Sequence, residues 1–143
     1  ALCEGNDIDM FVTCWMGIVN LQTGEVRYTS AGHNAPILKH KGEFSYLREK
    51  PDFVLGAISK VKFNEKSFIM SPGDKLLIYT DGVTEATNSE NMLYGNDRLL
   101  DCLETATGKT VGEHMTLIKE DIDKFVGEAE QFDDITIMAM RIH

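Results

Sequence analysis

The sequence predicts an α+β domain built on antiparallel strands. Three observations carry this expectation. Runs of β-forming residues follow one another across short turns as far as Tyr79. Helical periodicity is confined to a late stretch between Asn96 and Phe125. A last β-rich run, "ITIMAMRI" at 135–142, then closes the order. A strand–helix–strand alternation, which would call for a parallel sheet, is missing.

The first element is "MFVTCWMGIVNL", 10–21. Met10, Val12, Cys14, Met16 and Ile18 share one face, and Phe11, Thr13, Trp15 and Val19 share the other. Apolar residues on both faces predict a central strand covered twice. Gly24 in "NLQTGEV" supplies a turn into "EVRYTSAG", so 10–31 reads as a hairpin. His33–Pro36 reads as an irregular corner, because Pro36 offers no backbone donor. Ile37–His40 and Glu43–Leu47 flank Lys41-Gly42, the mark of a second tight hairpin. Residues 50–60 read as a loop, and "KFNEKSFIM" as a short strand. "SPGD" places Pro72 and Gly73 at the centre of a type II turn. The strand Lys75–Tyr79 follows.

Beyond Asp81 the chain changes character. Thr84–Gly95 is polar and reads as irregular. Asn96 is placed to cap a short helix carrying Leu99, Leu100 and Leu103, with Gly108 to stop it. Thr110 and Glu113 form a T-x-x-E capping box. Val111, Met115, Ile118, Ile122 and Phe125 then recur along one helical stripe, with Glu113, Lys119, Glu120, Asp123 and Lys124 off it. "GEAEQFDD" reads as a loop before the last strand.

Size and charge set outer limits. The chain has 143 residues, 43% of them hydrophobic, which suits one domain with a core. Its net charge of −9 argues against a nucleic-acid footprint and against contact with an anionic membrane. The apolar runs are too short to span a bilayer. Cys3, Cys14 and Cys102 make no C-x-x-C pair, so a zinc knuckle or disulfide framework is not expected and a reducing, cytoplasmic setting is. Cys14 reads as a small core residue. No signal peptide is visible, and the start at Ala1 suggests a piece of something larger.

Two acidic positions are candidates for chemistry. Asp81, followed by Gly82, stands at the exit of the buried run "LLIYT". Asp133 and Asp134 stand just ahead of the last strand, 52 residues on from Asp81 to Asp133. If the two strands pair antiparallel, exit and start share one end of the sheet, and Asp81 and Asp133 face each other across its rim. Carboxylates so placed repel unless protonated or bridged by a cation. Hard oxygen donors suit Mg²⁺ or Mn²⁺. Gly82 lets backbone come close to such a site. Each position also has a plain reading, since Asp-Gly is a common turn and an Asp before a strand is ordinary loop chemistry. Spacing alone leaves both open. His33 reads as a corner residue bonding locally, and His40, His114 and His143 as surface.

Three motifs together carry a resemblance. "MFVTCWMGIVNLQTGEVRYTSAGHNAPIL", "SPGDKLLIYTDGVTEA" and "FDDITIMAMRI", in this order, resemble the SpoIIE-like serine phosphatases, a bacterial branch of the metal-dependent PPM protein phosphatases. The likeness runs from about residue 6 to the end. It implies a β-sandwich of antiparallel sheets flanked by helices, with two Mn²⁺ or Mg²⁺ ions at one end. Asp81 and Asp133 match metal-binding aspartates of the family. Asp134 stands where more distant relatives carry Asn, so it is either a third ligand or a residue that orients Asp133. The implied activity is hydrolysis of phosphoserine or phosphothreonine on a protein, typically a STAS-fold anti-anti-sigma factor. A metal-bound water attacks directly, and no side chain serves as nucleophile.

The sequence departs from the family in one respect. A Gly-Asp-Val-Ser-Gly-x-Gly motif, which supplies a bridging aspartate and a glycine carbonyl, is not present. The first strands and helix of the fold are expected to be missing with it. The chain alone is therefore expected to bind metal weakly and to show little activity. Open sheet edges are expected to favour a homodimer. An upstream sensor domain, with any membrane segment, is expected in the parent chain. Two rivals remain at this point. One is a partner-binding module of the same fold with a dead site. The other is a haloacid-dehalogenase type of phosphohydrolase, which needs an aspartate where Tyr79 stands and a parallel sheet.

Overall fold

The computed structural model describes residues 3, 10–106, 108, 110–130 and 133–143. Residues 6–9, where the family likeness begins, and Phe132 of "FDDIT" lie outside the described residues. The elements run β1 (Cys14–Val19), β2 (Glu25–Ala31), β3 (Ile37–His40), β4 (Glu43–Tyr46), β5 (Lys66–Ile69), β6 (Lys75–Tyr79), α1 (Asp81–Thr84), α2 (Gly95–Thr105), α3 (Val111–Val126) and β7 (Ile137–Arg141). They fall into two compact units. One holds Ala1–His33 with Arg48–Ser71, and the other Asn34–Leu47 with Pro72–His143. Two antiparallel sheets and the helices make the α+β class the sequence predicts. All pairings between the named strands are antiparallel, which removes the dehalogenase-type parallel sheet.

The first unit is a three-stranded sheet ordered β1-β2-β5. The β1–β2 hairpin closes as expected, at Val19 opposite Val26. In its turn the Asn20 carboxamide accepts from the backbone of Gln22 and Thr23, and Gly24 takes φ +74°. One sheet face carries an aromatic row, with Trp15 stacked on Tyr28 at 5.2 Å and Phe68 edge-on to Tyr28 at 5.6 Å. Gly17 makes room for it, since a Cβ there would lie 2.6 Å from the Trp15 ring.

β1 itself departs from expectation. Among the described residues it is an edge strand, not a central one, and Met16 and Ile18 are 63% and 71% exposed. Cys14 is half-buried and not a core residue. The reason is that apolar faces report a need for cover, whereas pairing position is decided by which edges other strands reach. Among the described residues only β2 pairs with β1, apart from the isolated bridge of Cys14 to Gly32. His33 at the corner lies 3.2 Å from the Thr13 hydroxyl, and its carbonyl accepts from Ser30.

The second unit is a four-stranded sheet ordered β4-β3-β6-β7, with α2 and α3 packed against it. The β3–β4 hairpin turns at Lys41-Gly42, both at positive φ as a type I′ turn demands. Gly73, at φ +95°, fills the type II position of "SPGD". β6 lies inside the sheet, paired on one edge with β3 and on the other with β7. Leu76, Leu77 and Tyr79 are buried, and Leu77 and Tyr79 join Leu99, Leu103, Ile118 and Ile122 in one core. The Thr110–Glu113 capping box forms as read, with both reciprocal bonds present.

Asp81–Thr84 is a helical turn, from which the polar, irregular stretch leads on. Three local expectations are corrected here. Asn96 does not cap α2, which starts one residue earlier at Gly95. Its carboxamide oxygen instead accepts from the Tyr79 hydroxyl at 3.2 Å, and its carbonyl accepts from Tyr46 at 2.7 Å. His114 is buried, not a surface residue. It stands four residues before Ile118, so helical spacing places it on the apolar stripe, where Nδ1 lies 2.7 Å from the Thr110 carbonyl. His40 is half-buried and bonds the buried Asp74 at 2.7 Å. No helix among the described residues is long and apolar enough to cross a membrane.

The aromatic row has a consequence at alkaline pH. Burial, then the neighbouring Glu49 carboxylate, pushes the Tyr28 phenol up to about 12 from an ordinary 10.0. Below the ordinary value Tyr28 is neutral in folded and unfolded chains alike, and its contribution is fully present. As pH climbs from there toward about 12, only the unfolded chain ionises, so that contribution is lost. Denaturation midpoints measured at about pH 9 and about pH 11 are expected to fall less in Tyr28→Phe than in the wild type.

Candidate functional site

The site is assembled by the pairing of β6 with β7, wholly within the second unit. The ladder runs from Lys75 opposite Arg141 to Tyr79 opposite Ile137. It extends one residue further, where the Thr80 amide donates to the Thr136 carbonyl at 3.0 Å. Asp81 therefore leaves the sheet at the same end at which the chain arrives from Asp133 and Asp134. This is the rim the sequence anticipated on the condition of antiparallel pairing.

Each side of the rim has its own turn. On the β6 side, the Thr80 carbonyl accepts from Val83 at 3.1 Å and the Asp81 carbonyl from Glu85 at 2.8 Å, which winds α1. The Gly82 amide lies 3.2 Å from Asp81 Oδ1 and donates to it. On the β7 side, the Asp134 amide donates to Asp133 Oδ1 at 2.8 Å. All three aspartates are exposed at the surface, whereas Gly82 and Val83 behind them are buried.

The two turns touch through backbone. A Cβ built on Gly82 would stand 2.5 Å from the Asp134 carbonyl oxygen and 3.5 Å from that of Asp133. No side chain fits in that gap, so the glycine is required by closeness and not by an unusual φ. Gly82 thus sits against both partner residues, as a close-approach residue should. Thr80 is the residue to which sequence pattern gave no weight. Its hydroxyl donates to the Asp134 carbonyl at 3.1 Å and accepts from the Thr136 amide at 3.0 Å. The one local sign in the sequence is a hydroxyl at the last position of a strand, beside a turn.

The donors suit a hard divalent cation in kind: three exposed carboxylates at one sheet end, with backbone drawn close behind them. Among the described residues no three His, Cys, Asp or Glu side chains gather into a set that could hold a metal ion.

With this geometry in hand, comparison with known proteins places the chain. The Stage II sporulation protein E (SpoIIE) family matches residues 1–143, and the chain belongs to that family. It is 29% identical over 137 residues to Protein IcfG of Synechocystis sp., a match covering 96% of this chain and 22% of that protein. It is 24% identical over 143 residues to the phosphoserine phosphatase RsbU of Bacillus subtilis, covering 94% of this chain and 40% of RsbU. Among solved structures, the SiaA-PP2C domain of Pseudomonas aeruginosa superposes with a TM-score of 0.82 at 18% identity, over 94% of this chain and 53% of that one. The phosphatase domain of the cell fate determinant SpoIIE from Bacillus subtilis, presoaked with Mn, gives 0.69 at 18% identity, over 91% and 56%. These last two likenesses are of fold. The chain spans less than half of the curated relatives and about half of the solved chains.

Replacing Gly82 by Ala forces the two turns apart, because the obstacle is backbone and cannot rotate away. Gly82→Ala is expected to destabilise the protein by about 1–3 kcal/mol in urea denaturation. It is also expected to speed hydrogen exchange at the Thr136 amide, which the same rim holds.

Proposed function

We propose that residues 1–143 form part of a metal-dependent protein serine/threonine phosphatase domain. The observation that carries this reading is the single rim. A buried interior strand delivers Asp81 to the sheet end where Asp133 and Asp134 arrive, with Gly82 pressed between. Interior pairing on both edges makes β6 a rigid stem, which suits a residue whose task is to hold position. Membership of the SpoIIE family and the likeness to the RsbU phosphatase support the same reading.

In this reading Asp81 and Asp133 bind Mn²⁺ or Mg²⁺ directly, and Asp134 either joins them or orients Asp133 through the turn they share. When bound, the ions supply a water acidic enough to hydrolyse a phosphate ester at neutral pH and offset the charge that develops on it. The chain's own residues bind, space and steady the donors. They supply part of the donor set, so full occupancy needs further ligands from outside it.

The substrate in this reading is a phosphorylated STAS-domain protein, as in bacterial partner switching, and the site of action is the cytoplasm under an upstream sensor domain. A chain with a net charge of −9 does not suit a nucleic acid as its partner. Self-association fits the exposed edge strand β1, where Met16 and Ile18 face solvent.

The test is phosphate release from a phosphoserine STAS-domain protein by the full-length protein in Mn²⁺, beside its Asp81→Asn variant. The wild type is expected to turn over and Asp81→Asn to lose more than about 100-fold. Equal activity in both would remove Asp81 from the site. Inactivity of both, with the partner still bound, would make the domain a docking module.

A further inference from the structure

The rim is closed by one side chain that no comparison assigns. Thr80 is the last residue of β6 to pair with β7, and its backbone does only half of what a ladder residue does. Its amide donates to the Thr136 carbonyl at 3.0 Å in the ordinary way. Its carbonyl is taken by the Val83 amide at 3.1 Å, because the chain is already winding into α1. The Thr136 amide would be left without its ladder acceptor. The Thr80 hydroxyl oxygen takes that place at 3.0 Å. The hydroxyl then donates its own proton to the Asp134 carbonyl at 3.1 Å.

One side chain thus replaces a backbone acceptor and adds a donor. It lets β6 end and turn at Asp81 without releasing β7, and it fixes the height of the Asp133-Asp134 turn against it. The task requires a short side chain that accepts and donates at the same atom. Ser and Thr offer that at this reach; Cys does so only weakly, Asp⁻ cannot donate and Val can do neither. A loosened Asp134 carbonyl would release one of the contacts that set the turn spacing Asp133 from Asp81, Gly82 packing being another.

We propose that Thr80 is a positioning residue for the metal centre, setting the spacing between Asp81 and the Asp133-Asp134 turn through its hydroxyl. The inference rests on the phosphatase reading above. Its test uses the full-length protein in four forms: wild type, Thr80→Val, Thr80→Ser and Asp81→Asn. Mn²⁺ affinity is read from the electron paramagnetic resonance of the free ion, and hydrogen exchange of the Thr136 amide is read in the absence of metal.

Thr80→Val keeps size and branching and removes the hydroxyl. It is expected to weaken Mn²⁺ binding by roughly 10–100-fold and to raise exchange at Thr136. Thr80→Ser is expected to stay near wild type in both, because it keeps the hydroxyl and loses only a methyl. Wild-type Mn²⁺ affinity in Thr80→Val, with Asp81→Asn impaired, would overturn the role of Thr80 and leave the phosphatase reading standing. Equal loss in the Val and Ser variants would overturn it in favour of methyl packing. Global unfolding of Thr80→Val in circular dichroism would assign Thr80 to the fold at large. Unchanged affinity in Asp81→Asn would instead bring down the phosphatase reading itself.

Discussion

The pairing of β6 with β7 is the constraint on which the rest of the second unit depends. Antiparallel register turns a separation of 52 residues into adjacency. Its last rungs, Tyr79 with Ile137 and Thr80 with Thr136, decide which residues project beyond the sheet on each side. A slip by one residue would turn Leu77 and Tyr79 out of the core and carry Asp81 to the opposite face. The core at Leu77, Tyr79, Leu99 and Leu103 therefore fixes the site as firmly as it fixes the fold.

Around that pairing the chain trades backbone regularity for closeness. β6 stops abruptly and becomes a helical turn, which would leave the β7 side short of an acceptor. A threonine hydroxyl fills the vacancy, and a glycine lets the turn approach to within contact of two carbonyls. The carboxylates of Asp81, Asp133 and Asp134 stay exposed at the surface. Exposed carboxylates and close backbone are the two features on which the proposed metal centre rests.

Much of this is legible in the sequence, and what is not has physical reasons. Strand and turn chemistry is local, so the Lys41-Gly42 hairpin, the Pro72-Gly73 turn, the strand Lys75–Tyr79 and the Thr110–Glu113 capping box can be read directly. The rim itself could be read only on condition of antiparallel pairing, which is a tertiary fact. Asn96 looked like a cap because its competing partners, Tyr79 and Tyr46, are far away in sequence. His114 looked like a surface residue because polarity outweighed its position four residues before Ile118. β1 looked central because apolar faces cannot tell an interior strand from an edge strand whose faces call for cover. Thr80 carried only a faint mark, a hydroxyl at a strand's end beside a turn, since its work is to replace a backbone atom.

The central claim is that Asp81 and Asp133 serve one metal centre, and a double-mutant cycle on Mn²⁺ affinity in the full-length protein tests it most directly. Asp81→Asn, Asp133→Asn and the double variant are compared with wild type. If the two carboxylates share a centre, the second substitution costs far less once the first is made, and the losses are strongly non-additive. Losses that simply add, or no loss at Asp133, would show that the two aspartates meet at the rim without acting together.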